Sequence, residues 1–465
     1  MADTLERKVD LVVIGGGITG LAAAWSASAR GHDTVLLESS ERFGGSVVTH
    51  HEGDYRVEGG PHNLLVNDAD LEAFLREAGL WEKGIDSADE ASRRFIVRRG
   101  APVALPSGLG SFFSSPFLSV PGKIRLLMEP FCHGKAPAGE EAMGPWVARH
   151  FGREAGVGLA DPFISGIYAG DPEKISLQAA FPQVAAIAEL HPSLVRAMFR
   201  RRKQMRASGE SRYARRMMSF PEGLGQMIGH LVRKAPFDPL AGVNIRSIKS
   251  ESKGWRLRVR VGAEEDVRTI QTSKLLVAVP PTALAEMPFE DEIRKRLQPF
   301  EEVESPPVTT LSVAFKRKKV RHPLDGFGML CPAREKREVL GILFDSSLFP
   351  GRAPEDEVLL SAFVGGVRAP ERARRDTGDL LEIVTRECQE LLGAEGEPVF
   401  WKSTFWPRAI PQYNLGYASI AENLNRLEDS FLNLAFAGNA RDGVALGSCI
   451  LSGVRRVKQL TGAVE

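Results

Sequence analysis

Near its N-terminus the chain runs Val9-Asp10-Leu11-Val12-Val13-Ile14, a short apolar stretch rich in β-branched residues that predicts a buried parallel strand. A glycine-rich turn, Gly15–Gly20, follows it. The small and apolar residues from Leu21 to Ala29 then predict a helix that Gly31 closes, and Thr34–Leu37 predicts a second strand with Glu38 at its end. The same succession returns near the other end of the chain. There Leu434–Ala437 is strand-like, residues 438–443 are mostly small, and a helix is predicted from near Val444. Between the two ends, Gly242–Ile248 and Lys274–Pro281 read as strands. Residues 106–215 look mainly helical apart from Pro- and Gly-rich joints at 114–122 and 134–145.

The spacing of the first glycines has a physical logic. Gly15 permits a tight turn, Gly17 lets backbone approach a pyrophosphate, and Gly20 lets helix and strand pack closely. With Ile18 and Thr19 they place the positive end of a helix at a phosphate site. Glu38, about 20 residues on, is positioned to accept hydrogen bonds from ribose hydroxyls. The motif continues as Glu38-Ser39-Ser40-Glu41-Arg42-Phe43-Gly44-Gly45, which resembles the second fingerprint of flavoprotein amine oxidases and points to FAD rather than a dissociable nicotinamide. In that reading Arg42 is a phosphate- or ribose-side partner, and Gly60-Pro61-His62 is a turn beside the flavin ring. Ile245 lies on the strand whose backbone contacts adenine, and Asn439, Gly443, Val444 and Ala445 bring the second chain end to the flavin pyrimidine.

Composition narrows the class. A length of 465 residues predicts two or three domains. Sixty basic against fifty-nine acidic residues leave a net charge of +1, which argues against a dedicated nucleic-acid binder. Cys132, Cys331, Cys388 and Cys449 are too scattered for a zinc site or a disulfide framework, so no metal is expected and a reducing, cytoplasmic setting fits. The N-terminus does not read as a signal peptide, and no apolar run approaches the length of a membrane span.

Further motifs run in order along nearly the whole chain: Leu105-Pro106-Ser107-Gly108-Leu109, Gly166–Pro172, Phe220-Pro221-Glu222-Gly223-Leu224, Gly326–Leu330, Val339–Phe349, Ile410-Pro411-Gln412-Tyr413 and Gly443–Gly453. With them the sequence resembles the protoporphyrinogen oxidase family, within the flavin amine oxidase superfamily. The resemblance implies an α/β fold: a Rossmann-like FAD-binding domain of the amine-oxidase type, an α+β substrate domain and a helical, membrane-facing insertion. The corresponding segments are 1–75, 218–300 and 418–465 for the first, 76–105 and 301–417 for the second, and 106–217 for the third. It further implies six-electron oxidation of a porphyrinogen, hydride passing from a meso carbon to flavin N5, with dioxygen reduced to hydrogen peroxide. It is compatible with a homodimer and with peripheral contact at the inner face of the cell membrane. Alternatives are a preference for coproporphyrinogen III, a flavin amine oxidase, and an FAD-binding scaffold without turnover.

The same resemblance supplies substrate contacts. Arg94 matches a propionate-binding arginine, Phe327 and Leu330 match residues that sandwich a pyrrole ring, Phe363 matches the opposite wall, and Gly166 matches a glycine close to the macrocycle. His62 stands where many members carry Asn or Arg, and is either a proton acceptor or a polar wall beside the flavin. No Cys/His or Ser/His/Asp constellation is visible. The stretch Phe112, Phe113, Pro116, Phe117, Leu118 and Val120 suits either interfacial contact or helix packing. The basic residues of Arg196–Arg216 are read first as a solvated loop between helices, with anionic lipid or nucleic acid as the other readings.

Overall fold

The computed structural model describes residues 6–131, 139–207, 213–263 and 266–462. Cys132, Glu210, Arg212 and part of the joint at 134–145 lie outside them. Strand Glu6–Ile14 pairs in parallel with Thr34–Leu37 on one side and Arg268–Val277 on the other. The sheet is completed by Asp238–Leu240, Leu434–Phe436 and the antiparallel pair Val243–Glu251 and Gly254–Val261. Both its faces are covered. Val12 and Ile14 point into a core with Leu284, Ile293, Leu297, Leu424 and Leu427, while Leu11 and Val13 point into another with Leu21, Ala24, Ile450 and Val454. Burial on both faces is why the strand reads as a continuous apolar run rather than an alternation.

A second sheet runs in the order Phe400–Trp406, Val308–Lys316, Glu357–Gly365, Gly341–Leu343, Gly328–Leu330, Phe95–Arg98 and Ala101–Ala104. A three-stranded sheet joins Leu64–Val66, Arg216–Ser219 and Ile85–Asp86. The mixed α/β architecture is the expected one.

The intervening segment is helical, and it corrects two expectations. Leu194–Ala207 is a helix and not a solvated loop. Buried Glu129 accepts hydrogen bonds from the backbone N–H groups of Leu194 and Val195 and from the Ser193 hydroxyl, so the opening turn of a strongly basic helix has an anionic cap. His150 holds the same carboxylate at 2.9 Å. The joint at 114–122 is also partly helical, because Ser119 caps Val120–Leu127 with Pro121 in its first turn. At the chain end the helix starts at Leu446, two residues later than expected, after the extended residue Ala445.

Candidate active site

The glycine turn at the end of the first strand is built by close backbone contact. Gly15 has φ +105°, and a Cβ there would stand 2.4 Å from the Ala278 carbonyl oxygen. A Cβ on Gly20 would stand 1.8 Å from the Gly15 oxygen. Gly17 differs: no described heavy atom lies within 4 Å of that position, so open space faces the start of the helix Ile18–Ala29. Thr19 is buried in that helix and Ile18 packs into the core beneath it.

Glu38 Oε2 accepts the Gly16 N–H at 2.6 Å, and Oε1 accepts from the backbone and hydroxyl of Ser40, each at 2.8 Å, and from Ser39 at 3.4 Å. Arg42 turns inward on its own loop, donating to the carbonyls of Phe43, Gly45 and Val47. It thereby shapes the Gly44–Gly45 turn, in which Gly44 donates to the Gly16 carbonyl and Gly45 lies against Gly17. Val243 donates to the Glu38 carbonyl, which seats Ile245 and its strand beside the same end of the site.

The second chain end meets this turn. Gly453 packs on Thr19, where a Cβ would stand 2.3 Å from its carbonyl oxygen, and Gly438 packs on the Thr19 side chain. Tyr413 donates to the Asn439 carbonyl and accepts from the Gly443 N–H, which fixes the bend carrying Gly443, Val444 and Ala445.

Of the expected substrate contacts, Leu330 and Phe363 lie on one face of the second sheet, Gly166 is on the helix Asp161–Tyr168, and Arg94 and Phe327 immediately precede strands of the sheet. Ile96, Leu330, Gly341, Phe363, Thr310 and Thr404 are cross-strand partners in a single row, so their side chains share a face. A Cβ on Gly341 would stand 2.6 Å from the Met329 carbonyl oxygen and 3.2 Å from Leu330 Cδ2, so Leu330 packs closely on this glycine. At one end of the row Phe117 and Leu118 are buried with Ile96 and Leu330, so that part of the apolar stretch is packing, whereas Phe113 and Val120 are exposed. Gly166 faces Leu330, whose Cδ2 lies 2.6 Å from where a Cβ would be. Phe327 lies under the Arg94 guanidinium at 4.9 Å, and Arg94 is exposed and forms no ion pair among the described residues. At the other end Gly59 rests on Thr404, Gly60 lies against the Ser46 carbonyl, and the His62 ring meets Phe363 edge-on at 5.4 Å. The turn 59–62 thus joins the glycine cradle to the sheet.

Sequence reasoning missed the polar anchors of this junction. His62 Nδ1 lies 2.7 Å from Asp345 Oδ1, with the two side chains 3% and 7% exposed. His62 Nε2 and Asp345 Oδ2 are buried without a hydrogen-bond partner. Burial pulls the imidazole down, but the carboxylates of Asp345 and Glu58 more than reverse this, so His62 titrates above its ordinary value. Beside it, Glu58 and Arg352 are buried 3.8 Å apart. Glu58 accepts from Thr49 and from the Leu224 N–H, while Arg352 donates to Ser219 and to the carbonyls of Phe220 and Pro221. This pair holds the Phe220–Leu224 turn. The one legible signal was a single acid, Asp345, inside the apolar run Val339–Phe349.

The cradle fits a dinucleotide: an open glycine at a helix start, a second glycine turn stacked on it, and a carboxylate whose Oε2, with a single donor, can accept a further bond at the ribose position. Comparison with known proteins agrees. Residues 18–461 match the flavin-containing amine oxidoreductase model. The chain is 29% identical to protoporphyrinogen oxidase 2, chloroplastic/mitochondrial, of Arabidopsis thaliana, covering 98% of this chain and 94% of that one. It is 30% identical to the chloroplastic protoporphyrinogen oxidase of Nicotiana tabacum (98% and 86%) and 25% identical to the coproporphyrinogen III oxidase of Bacillus subtilis (96% and 97%). Among solved structures, a protein of Exiguobacterium sp. 255-15 provisionally described as a protoporphyrinogen oxidase superposes with a TM-score of 0.79 at 23% identity, over 98% of this chain and 99% of that one. Reduced UDP-galactopyranose mutase superposes with 0.72 at 15% identity, over 98% and 94%. The chain therefore belongs to the flavin-containing amine oxidoreductases, and within them to the protoporphyrinogen/coproporphyrinogen oxidase family. Its cofactor is FAD.

Burial raises the Glu58 carboxyl above its ordinary value, and Arg352 acts in the opposite direction. Replacing Arg352 with Met removes that counter-charge and is expected to cost about 3 kcal/mol of stability at neutral pH. A carboxyl whose folded value is raised stabilises the fold in its protonated form. That contribution is full below the unfolded value of 4.5 and fades as pH rises. The deficit of Arg352→Met should therefore be smaller near about pH 4, where the lost hydrogen bonds to Ser219, Phe220 and Pro221 are what remains of it, and grow as pH rises, as read by urea unfolding across pH.

Proposed function

We propose that this protein oxidises protoporphyrinogen IX to protoporphyrin IX, removing six electrons in three passes, with dioxygen as final acceptor and hydrogen peroxide as its product. Bound FAD supplies the hydride-accepting chemistry. The observation that carries the reading is the row Ile96–Leu330–Gly341–Phe363, an apolar face that ends against the flavin-side turn at His62. In this reading residues 1–75, 218–300 and 418–465 bind the cofactor, 76–105 and 301–417 bind substrate, and 106–217 form the insertion.

The chain's own residues bind, orient and exclude water. Gly15, Gly17, Ile18, Thr19 and Gly20 set the helix start at the diphosphate, and Glu38 and Ser39 face the ribose. Gly44 and Gly45, held by Arg42, close over the same groups. Gly60 and Pro61 bring the turn to the ring, and Asn439, Gly443, Val444 and Ala445 approach it from the other chain end. Phe327, Leu330 and Phe363 hold the pyrroles by apolar contact, and Gly166, having no side chain, lets Leu330 pack close against its helix, with its backbone near the macrocycle. Arg94 grips a propionate bidentately, kept in place over Phe327.

The neighbouring arginines favour a substrate with few carboxylates. Arg93, Arg98, Arg337 and Arg368 are committed to Asp325, Glu154, Glu387 and Asp161, which leaves Arg94 as the available anchor among them. Coproporphyrinogen III, with four propionates, is the second reading, and the Bacillus subtilis relative favours it. Aerobic turnover of both porphyrinogens, following porphyrin fluorescence and peroxide, tests the choice. Preference for the first with three peroxides per porphyrin supports the proposal, and preference for the second moves the enzyme to the other substrate. Arg94→Ala should raise KM for the preferred porphyrinogen about 10-fold or more with unchanged FAD content, the loss of one charge-assisted contact.

No helix among the described residues is long and apolar enough to cross a membrane. The insertion nonetheless exposes Phe113, Val120, Ile124, Leu127, Met128, Phe131, Met198 and Phe199. Val120, Ile124 and Leu127 share one stripe of their helix, and Arg196 lies over Phe131, which is 76% exposed. With the basic helix beside them, these side chains support peripheral docking on an anionic lipid surface. Changing Arg202, Lys203 and Arg206 to Glu should weaken sedimentation with phosphatidylglycerol vesicles about 10-fold or more, while stability is unchanged.

A further inference from the structure

His62 and Asp345 are 283 positions apart in the chain, yet they form a buried pair where the flavin-side turn meets the substrate sheet. Each partner presents one further polar atom, His62 Nε2 and Asp345 Oδ2, that is buried and unbonded. Other buried side chains also keep an unbonded polar atom, but among the described residues this is the bonded pair in which both partners do, at a cost of about 1–3 kcal/mol for each atom. The imidazole meets Phe363 edge-on, and Phe363 belongs to the row that carries Leu330 and Gly341. Asp345 is anchored to the other side of the same region, since the preceding residue, Phe344, donates its N–H to the Phe327 carbonyl. The His62 ring therefore adjoins Phe363, and the residue before Asp345 is bonded to Phe327.

We infer that His62, held and oriented by Asp345, is the proton acceptor of the oxidation, taking a pyrrole N–H proton on Nε2. The inference rests on the porphyrinogen reading. In each two-electron step the meso C–H bond breaks and its electron pair leaves with the hydrogen as hydride to the oxidised flavin. The pyrrole N–H bond also breaks. Its electrons feed the new C=N linkage, and its proton goes to His62 Nε2. After three such steps one meso carbon still carries two hydrogens, and transfer of one of them as a proton to a ring nitrogen completes the porphyrin, which has then lost four meso C–H and two N–H bonds. Asp345 is a positioning residue: by accepting from Nδ1–H it fixes the tautomer that leaves Nε2 free to accept, and it stabilises the imidazolium that results. The other charged groups facing His62 are Glu58 and Arg352, of opposite sign and 3.8 Å from each other, so Asp345 dominates the local field.

Two readouts on FAD-loaded protein test this. In wild-type protein labelled with ¹⁵N-histidine, His62 should titrate with a midpoint above its ordinary 6.5, and Asp345→Asn should lower that midpoint. Anaerobic flavin reduction by protoporphyrinogen IX should rise with pH through the same midpoint, because the acceptor must be neutral. Asp345→Asn should move the inflection to lower pH. His62→Gln should reduce the plateau rate about 100-fold and abolish the inflection, with flavin content retained. A His62 whose midpoint does not lie above its ordinary value, or a His62→Gln enzyme that keeps the wild-type rate and profile, overturns the inference while the porphyrinogen reading stands. Wild-type protein that no porphyrinogen reduces overturns that reading, and this inference with it.

Discussion

Everything in this molecule depends on how closely backbone approaches backbone at the end of strand Glu6–Ile14. The Gly15 carbonyl occupies the place of a Gly20 side chain, and the Thr19 carbonyl occupies the place of a Gly453 side chain. Three elements are thereby locked at one point: the first strand, the helix that follows it, and the helix that ends the chain. Larger residues would force these elements apart in an interior that has no slack to absorb the shift. The contacts aim a helix start at open space beside Gly17 and stack the Gly44–Gly45 turn on it. They also bring two distant stretches of chain to one glycine turn, with the strands of the second sheet contributed by the chain between them.

A second constraint joins that site to the sheet where the macrocycle is proposed to lie. The joint is polar and buried, which is expensive unless every charge has a partner. Glu58 and Arg352 meet the condition by sharing their remaining hydrogen bonds with the Phe220–Leu224 turn and with Thr49. Desolvation raises the one and lowers the other, and their mutual attraction opposes both shifts. The pair thus fixes the turn at 59–62 relative to the sheet. Without that reference, the His62 ring could not be held edge-on to Phe363.

What the sequence disclosed and what it hid follow the distance between partners. The cradle was legible because Gly15, Gly20, Glu38 and Gly45 lie within about thirty residues, at spacings that the strand–turn–helix unit dictates. The helical character of Leu194–Ala207 was obscured by its charge. The cap that satisfies its first turn is Glu129, 65 positions earlier, so a local reading sees only a solvated basic run. Arg42 shows the converse limit: its place in the motif was plain, but not that its guanidinium would be spent on the carbonyls of its own loop. Asp345 and Arg352 were hidden for the same reason as Glu129. A buried ion pair leaves in sequence only a charged residue in apolar surroundings, and nothing local names its partner.

The insertion shows how one short segment can serve two environments. Between Phe112 and Phe131 the chain turns Phe117 and Leu118 inward, where they close one end of the row at Ile96 and Leu330. A few residues later Val120, Ile124 and Leu127 turn outward beside a basic helix. The wall of the proposed substrate site and the proposed lipid-facing surface are therefore consecutive pieces of the same chain. For a macrocycle that partitions into lipid, this arrangement shortens the aqueous path to the flavin, because apolar contact begins at the surface and continues inward.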